Sequence, residues 1–267
     1  MIKWIIKKME EWAPINWGEE WDNNGLILGD PEKDVKKVLV ALDVTLEVIY
    51  EAIEIGADMI VTHHPMLTFP VKRITPADYQ GKRVLKMLNN NIAFYAAHTN
   101  LDQAPGGVND KLFERLGLTK KERLAGGGFT TGESMGLGLA GYSETDFTLE
   151  ELARHVKKCL DLPMVRYAGN SNTIIKKIGI CGGNGTGILS TAISSGCSVF
   201  LTGDWKLHLT QEALEMGMCI IDITHFASEN LVVPAIIERL TKEAANDNMN
   251  IAFIKSKSDG SLYKYII

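Results

Sequence analysis

The sequence predicts an α/β fold built mainly from parallel strands, and three observations carry that expectation. Short apolar runs alternate with longer amphipathic ones along all 267 residues, a rhythm of strand and helix that points to parallel strands covered on both faces. Glycines stand where the helical stretches should stop, at Gly56, Gly117 and Gly217. Five of the six histidines fall at the ends of strand candidates or in the turns just after them, where ligands of α/β sheets bind.

Taken in order, the elements begin with a helix over Ile2–Trp12, whose apolar residues are broken by charge every two or three positions. That spacing is amphipathic and contains no signal-peptide core. Strand Lys37–Asp43 and helix Leu46–Ile55 follow, then strand Asp58–Thr62, helix Asp78–Asn90 and strand Ile92–Ala97. The next pairs are helix Val108–Leu116 with strand Gly136–Tyr142, and helix Leu149–Leu160 with strand Ile174–Cys181. Thr148-Leu-Glu-Glu151 reads as a capping box that opens the helix at Leu149. Helix Thr186–Ser195, strand Ser198–Thr202, helix Leu207–Met216, strand Met218–Asp222, helix Leu231–Ala244 and strand Asn250–Lys255 complete the pattern. Ser258-Asp-Gly260, between two alternating runs, reads as the turn of a closing hairpin. The glycine-rich stretch Leu124–Gly141 is the best place for a boundary between two halves.

Composition bounds the function. Hydrophobic residues make up 45% and charged residues 23%, with a net charge of −5. An acidic chain without a Lys/Arg cluster lacks the electrostatic footprint of a nucleic-acid binder. No run of about 18 apolar residues occurs, so no membrane helix is expected, and the compartment expected is the cytoplasm. Four scattered cysteines, with no Cys-x-x-Cys pair, read as reduced and structural.

The chemistry is expected in three clusters. Thr62-His63-His64-Pro65 leaves a strand end, and Pro65 restricts His64 to extended backbone; the alternative is a pair of satisfied histidines. His98-Thr-Asn-Leu-Asp102 follows a second strand and sets a carboxylate beside an imidazole, or else is an ordinary strand–loop–helix passage. In Asp222-Ile-Thr-His225-Phe-Ala-Ser-Glu229, a histidine and a glutamate four apart share one face of a helical turn. His/Asp/Glu sets of this size are what paired-metal hydrolases use. His155, among Arg154, Lys157 and Lys158, reads as a surface residue. Gly182-Gly-Asn-Gly-Thr-Gly187 opens a helix and reads either as a tight structural turn or as a phosphate cradle. Asp204, Lys206 and His208 read as substrate contacts or supports of ligands. Trp4, Trp12, Trp17 and Trp21 read as packing or interface residues.

Taken together, Trp21-Asp-Asn-Asn-Gly-Leu26, Thr62-His-His-Pro65, His98-Thr-Asn-Leu-Asp102, Gly106-Gly-Val-Asn-Asp110, Gly203-Asp-Trp-Lys-Leu-His208 and Asp222–Glu229 occur in the order found in one family. Over nearly its whole length the chain resembles the NIF-three-like family, whose bacterial members are commonly labelled GTP cyclohydrolase 1 type 2 homologues. The resemblance implies two interlocked α/β halves, residues 1–124 completed by 226–267 and residues 125–225, with a dinuclear metal site between them. It implies that His63, His64, Asp102, His225 and Glu229 are the metal ligands, Glu229 bridging. Two carboxylates against two divalent ions leave a net charge of +2, suited to a small anionic substrate. The ions implied are zinc, iron, manganese, cobalt or nickel, since the set has no thiolate.

The resemblance also implies a homohexameric toroid and a metal-dependent hydrolase, whether a GTP cyclohydrolase or a phosphoesterase. His98 and His208 would be its catalytic proton carriers. The alternative is a non-catalytic metal-binding assembly with a regulatory or scaffold role. The inserted domain of longer relatives is missing here. Thr224 stands where many relatives carry glycine before the last histidine.

Overall fold

The computed structural model describes residues 1–124 and 136–266. The chain forms two compact units, Met1–Ala104 with Val232–Gly260, and Pro105–Leu231 with Ser261–Ile267. The expected boundaries differ from these. Residues 105–124 and 226–231, given by the sequence to the first half, belong to the second, because Leu112, Phe113, Leu116 and Leu118 join its core and Ala227 and Leu231 pack against it. Most of the glycine-rich stretch proposed as a boundary, residues 125–135, lies outside the described residues.

In the first unit a five-stranded sheet runs in the order Gly25–Leu28, Ala93–Ala96, Met59–Thr62, Lys37–Ala41, Ala252–Lys255. Three of its four pairings are parallel; Gly25–Leu28 joins antiparallel at one edge. Successive strand residues face opposite sides. Leu39, Ala41, Ile60, Phe94 and Ala96 therefore share one core with Val48, Ile49, Ala52, Val84 and Met87 of the helices Leu46–Glu54 and Tyr79–Asn89. Helices Ile2–Trp12 and Val232–Asn246 bury Ile2, Ile5, Met9, Ile236 and Leu240. Strand ends Thr62, Ala96 and Ala41 are in register, so the residues that follow them emerge side by side.

The second unit has a six-stranded sheet in the order Thr119–Leu124, Gly138–Tyr142, Ile178–Ile180, Val199–Thr202, Cys219–Asp222, Arg166–Ala168. Only its middle is parallel, over Ile178–Ile180, Val199–Thr202 and Cys219–Asp222; the flanking pairings are antiparallel. The fold is thus mixed α/β, with the expected parallel strands at the centre of each sheet. Alternation again splits the strands between two cores. Ile178, Ile180, Val199, Leu201 and Ile221 face the helices Val108–Arg115 and Leu149–Cys159, whereas Phe200 and Ile220 face the helices Leu189–Ser194 and Leu207–Glu215.

The expected capping box is formed: Glu151 Oε2 accepts from Thr148 N at 2.8 Å and Thr148 Oγ1 from Glu151 N at 3.3 Å. Gly56, Gly117 and Gly217 all take positive φ just after helices, the conformation open to glycine. The closing hairpin does not form among the described residues. Strand Ala252–Lys255 pairs in parallel with Lys37–Ala41 instead, and Ser256–Ser258 folds onto Glu51. No described helix is long and apolar enough to cross a membrane. The four cysteines are unbridged. His155 is half-buried rather than solvated, with Nε2 3.0 Å from the Leu116 carbonyl and its ring beside Phe147.

Glu51 Oε2 accepts from Ser256 Oγ at 2.6 Å and Ser258 N at 3.0 Å, and Lys257 N donates to both carboxylate oxygens. Burial alone would raise the Glu51 carboxyl, but these bonds outweigh it and hold the group below its ordinary range. A depressed carboxyl contributes its stabilisation in full above the unfolded-state value near 4.3 and loses it as pH falls through the lower folded value. Glu51→Gln is therefore expected to lower stability by on the order of 1 kcal/mol at neutral pH. The gap to the unsubstituted protein should close as pH falls below about 4, as read by urea unfolding across pH.

Candidate metal centre

Each unit brings together part of the predicted ligand set. In the first unit, His63 and His64 follow strand Met59–Thr62 directly. His98 caps the short helix Thr99–Gln103, which carries Asp102 and begins shortly after strand Ala93–Ala96. One potential ligand atom from each of His63, His64 and His98 lies within 4.8 Å of the others. His63 Nε2 stands 3.6 Å from Asp102 Oδ1. His63 is fully buried, while His64 and His98 are half-buried.

The orientation of each ring is fixed from its far side. His63 Nδ1 lies 2.8 Å from the Ala97 carbonyl oxygen, an acceptor only, so Nδ1 carries the proton and Nε2 keeps its lone pair. His64 Nδ1 lies 2.8 Å from Asp43 Oδ1, and His98 Nδ1 lies 2.9 Å from Asp22 Oδ1. An imidazole that donates through one nitrogen to a carboxylate or carbonyl is the arrangement of metal-ligating histidines. The residues present fit a divalent ion on this ground: the Nε2 lone pairs of His63 and His64 and the Asp102 carboxylate, with no thiolate, form a borderline-to-hard donor set, with His98 beside it.

In the second unit, His225 and Glu229 open and close the single-turn helix His225–Glu229. Their spacing puts His225 Nε2 3.1 Å from Glu229 Oε2. His225 Nδ1 lies 2.7 Å from Asp204 Oδ2, which repeats the pattern of the first unit and gives Asp204 the supporting role foreseen for it. Asp222, at the end of strand Cys219–Asp222, accepts from Thr224 N at 3.0 Å through Oδ1 and is paired with Arg166 through Oδ2. Thr224 takes φ +57°, which explains why glycine suits this position. Its hydroxyl compensates by accepting from Ala227 N at the head of the helix.

The Gly182–Gly187 turn is packed against Glu229, which supports the structural reading of this turn. A Cβ on Gly183 would fall 2.1 Å from Glu229 Oε1 and 3.2 Å from His225 Nε2, and Gly183 also has φ +61°. Gly183 N donates to Ser228 Oγ at 3.0 Å, and Gly182 N donates to Asn109 Oδ1 at 2.9 Å. Asn109 belongs to the Gly106–Asp110 motif, where Asp110 accepts from Gly106 N at 2.7 Å and pairs with Lys121. Gly182 and Gly183 bring the turn up against Glu229, and a Cβ on Gly182 would fall 3.3 Å from Glu229 Cγ.

His208 does not share the surroundings of the ligand histidines. It is exposed in the first turn of helix Leu207–Glu215, with Lys206 exposed just before it. Asp22 and Asp43 received no role from the sequence. Asp43 lies just past the end of strand Lys37–Ala41, and the rule that singled out the histidines would have found it had it been applied to carboxylates. Asp22 lies in a loop and carried no such signal.

Residues 1–260 match the model of the family described as Duf34/NIF3 (NGG1p interacting factor 3). Over 262 residues the chain is 37% identical to a protein of Clostridium perfringens named GTP cyclohydrolase 1 type 2 homolog, with 98% of each chain covered. A Clostridium acetobutylicum protein of the same name is 34% identical, over 99% of this chain and 98% of its own. Among solved structures, a Bacillus cereus protein related to NIF3 superposes with TM-score 0.93 at 27% identity, covering 99% of both chains. A Staphylococcus aureus hypothetical protein gives TM-score 0.90 at 31% identity, covering 98% of both.

Gly183→Ala is expected to fold but to push the Glu229 carboxylate aside. Titration with Co²⁺ should show affinity at least about tenfold weaker than in the unsubstituted protein. Equal affinity would mean that Gly183 does not set the position of Glu229.

Proposed function

Since the chain belongs to the Duf34/NIF3 family, we propose that it is a dinuclear metal-dependent hydrolase of a small anionic, nucleotide-like substrate. In this reading His63, His64, Asp102, His225 and Glu229 would hold two divalent ions. The observation that carries the reading is the common treatment of the three ligand histidines. Each has Nδ1 committed to Ala97 O, Asp43 or Asp204, and the Nε2 atoms of His63 and His225 are turned toward the carboxylates of Asp102 and Glu229.

Bound divalent ions supply Lewis acidity and bring the pKa of water down toward about 7. The chain's own contribution is to orient and to neutralise. Two carboxylates leave two divalent ions with a net positive charge, which favours an anionic substrate. His98, within reach of the His63–His64 pair, is the residue we assign to proton transfer. The exposed His208 is the second carrier in this reading, serving exchange with solvent. The names of the clostridial relatives make GTP the first substrate to test, with phosphoesters second. A homohexameric assembly in the cytoplasm belongs to the same reading.

Two measurements test it. Elemental analysis of protein purified without added metal should find two ions per chain. His64→Ala and Glu229→Ala should each weaken binding by about 10–100-fold or more, and unchanged binding in both would remove the ligand assignment. The metal-loaded protein should then hydrolyse GTP or a member of a phosphoester panel. Two tightly bound ions with no turnover of any of these would favour a non-catalytic, regulatory metal assembly.

A further inference from the structure

The Asp22 carboxylate is more heavily bonded than a ring support requires. Its side chain is fully buried, and its two oxygens are divided between different donors. Oδ1 accepts from Asn23 N and from His98 Nδ1, both at 2.9 Å. Oδ2 accepts from Thr99 N at 3.1 Å, from Thr99 Oγ1, and from Asn24 Nδ2 at 2.9 Å. The donors on Oδ2 are fixed by their own second bonds. Asn24 Oδ1 accepts from His98 N at 2.8 Å, which turns the Asn24 amide nitrogen toward Asp22. Thr99 Oγ1 accepts from Glu19 N at 2.9 Å, which leaves its hydroxyl proton for Asp22. Burial alone would raise the Asp22 carboxyl, but the hydrogen bonds from His98 and Thr99 hold it well below the usual carboxylate range.

We propose that Asp22 is the positioning residue for His98: it locks the ring in the Nδ1–H tautomer and so presents the Nε2 lone pair to the His63–His64 cluster as a proton acceptor. The lock itself stands on the hydrogen bonds alone. Only the use of the lone pair, to take a proton from water or a substrate hydroxyl, rests on the hydrolytic reading above. The carboxylate is an acceptor without donors, so the only proton that fits between it and the ring is on Nδ1. Trp21, 60% exposed, stands edge-on to His98 at 6.0 Å between centroids and covers the ring from the loop side.

The same geometry dictates what Asp22→Asn does. Three donors converge on the Oδ2 position, among them the backbone N–H of Thr99, which can only donate, and two on Oδ1, where His98 can exchange donor for acceptor. The carbonyl oxygen of the substituted side chain therefore takes the Oδ2 place, and its NH2 turns toward His98 Nδ1. That nitrogen must then accept, the proton moves to Nε2, and the lone pair facing the cluster is lost while the fold is kept. An Asp-to-Asn change that leaves geometry intact but installs the wrong histidine tautomer has precedent in serine proteases.

The test is ¹⁵N NMR of histidine-labelled, metal-free protein at alkaline pH, with His98 assigned by the signals lost in His98→Gln. The expected result is an Nδ1-protonated, Nε2-unprotonated His98 in the unsubstituted protein, against the Nε2–H form that solvated histidine favours, and reversal in Asp22→Asn. An Nε2–H His98 in the unsubstituted protein overturns the proposal, and so does a folded Asp22→Asn that keeps Nδ1–H. Should Asp22→Asn fail to fold, the measurement on the unsubstituted protein decides alone. With a substrate in hand, Asp22→Asn should lower kcat by about 10²-fold or more, with KM and metal content unchanged. Absence of turnover in every form would count against the hydrolytic reading and leave the tautomer result standing.

Discussion

The site depends on one constraint, that a histidine has two nitrogens and only one can face inward with a lone pair. In both units the chain settles this by placing an acceptor behind each ring. The acceptor is a strand-end carbonyl for His63 and an aspartate for His64, His98 and His225. In the first unit, Ala97 and Asp43 come from segments well separated from His63 and His64 in sequence, which parallel pairing in register brings to a common edge. The fold thus serves the site directly. Sheet register delivers His63–His64, Ala97 and Asp43 to one level, and a one-residue slip would turn each side chain to the opposite face.

In the second unit the constraint is steric as well as electronic. Glu229 lies against a turn that only glycine can form at Gly183, both for its backbone angle and for the space the carboxylate takes. Thr224 and Asp204 both adopt positive φ, so the backbone on either side of the His225–Asp204 pair departs from ordinary extended or helical geometry. Such departures are held in place by surrounding bonds, here those of Asp222, Arg166 and the Thr224 hydroxyl, and they concentrate at functional sites.

Much of this was legible in the sequence. The expected bounds of helix Ile2–Trp12 are those observed, and every expected strand over an apolar run exists, with Ile174–Cys181 divided into two short strands. The three clusters stood out because histidines are few and strand ends are easy to locate. What escaped has physical reasons. The edge strands Gly25–Leu28, Thr119–Leu124 and Arg166–Ala168 are short or polar and lack the apolar signal of buried strands. The hairpin expected at Ser258–Gly260 lost to Glu51, whose carboxylate collects the backbone of Lys257 and Ser258, a tertiary interaction with no local trace. The unit boundaries shifted because helix Val108–Arg115 presents its apolar face to the second core, and sequence periodicity shows a face without showing its partner. Asp22 escaped because a loop aspartate that orients a ring resembles any other until the ring is seen beside it; Asp43, just past a strand end, was open to the same reading as the histidines.

We propose that His63, His64 and His225 are metal ligands through Nε2, with Asp102 and Glu229 as the carboxylate ligands. X-ray absorption spectroscopy of the zinc- or cobalt-loaded protein tests it most directly. The account predicts imidazole scattering at about 2.0–2.1 Å, no sulfur neighbour, and a metal–metal vector near 3.5–4 Å. A single-metal spectrum without imidazole scattering would contradict it.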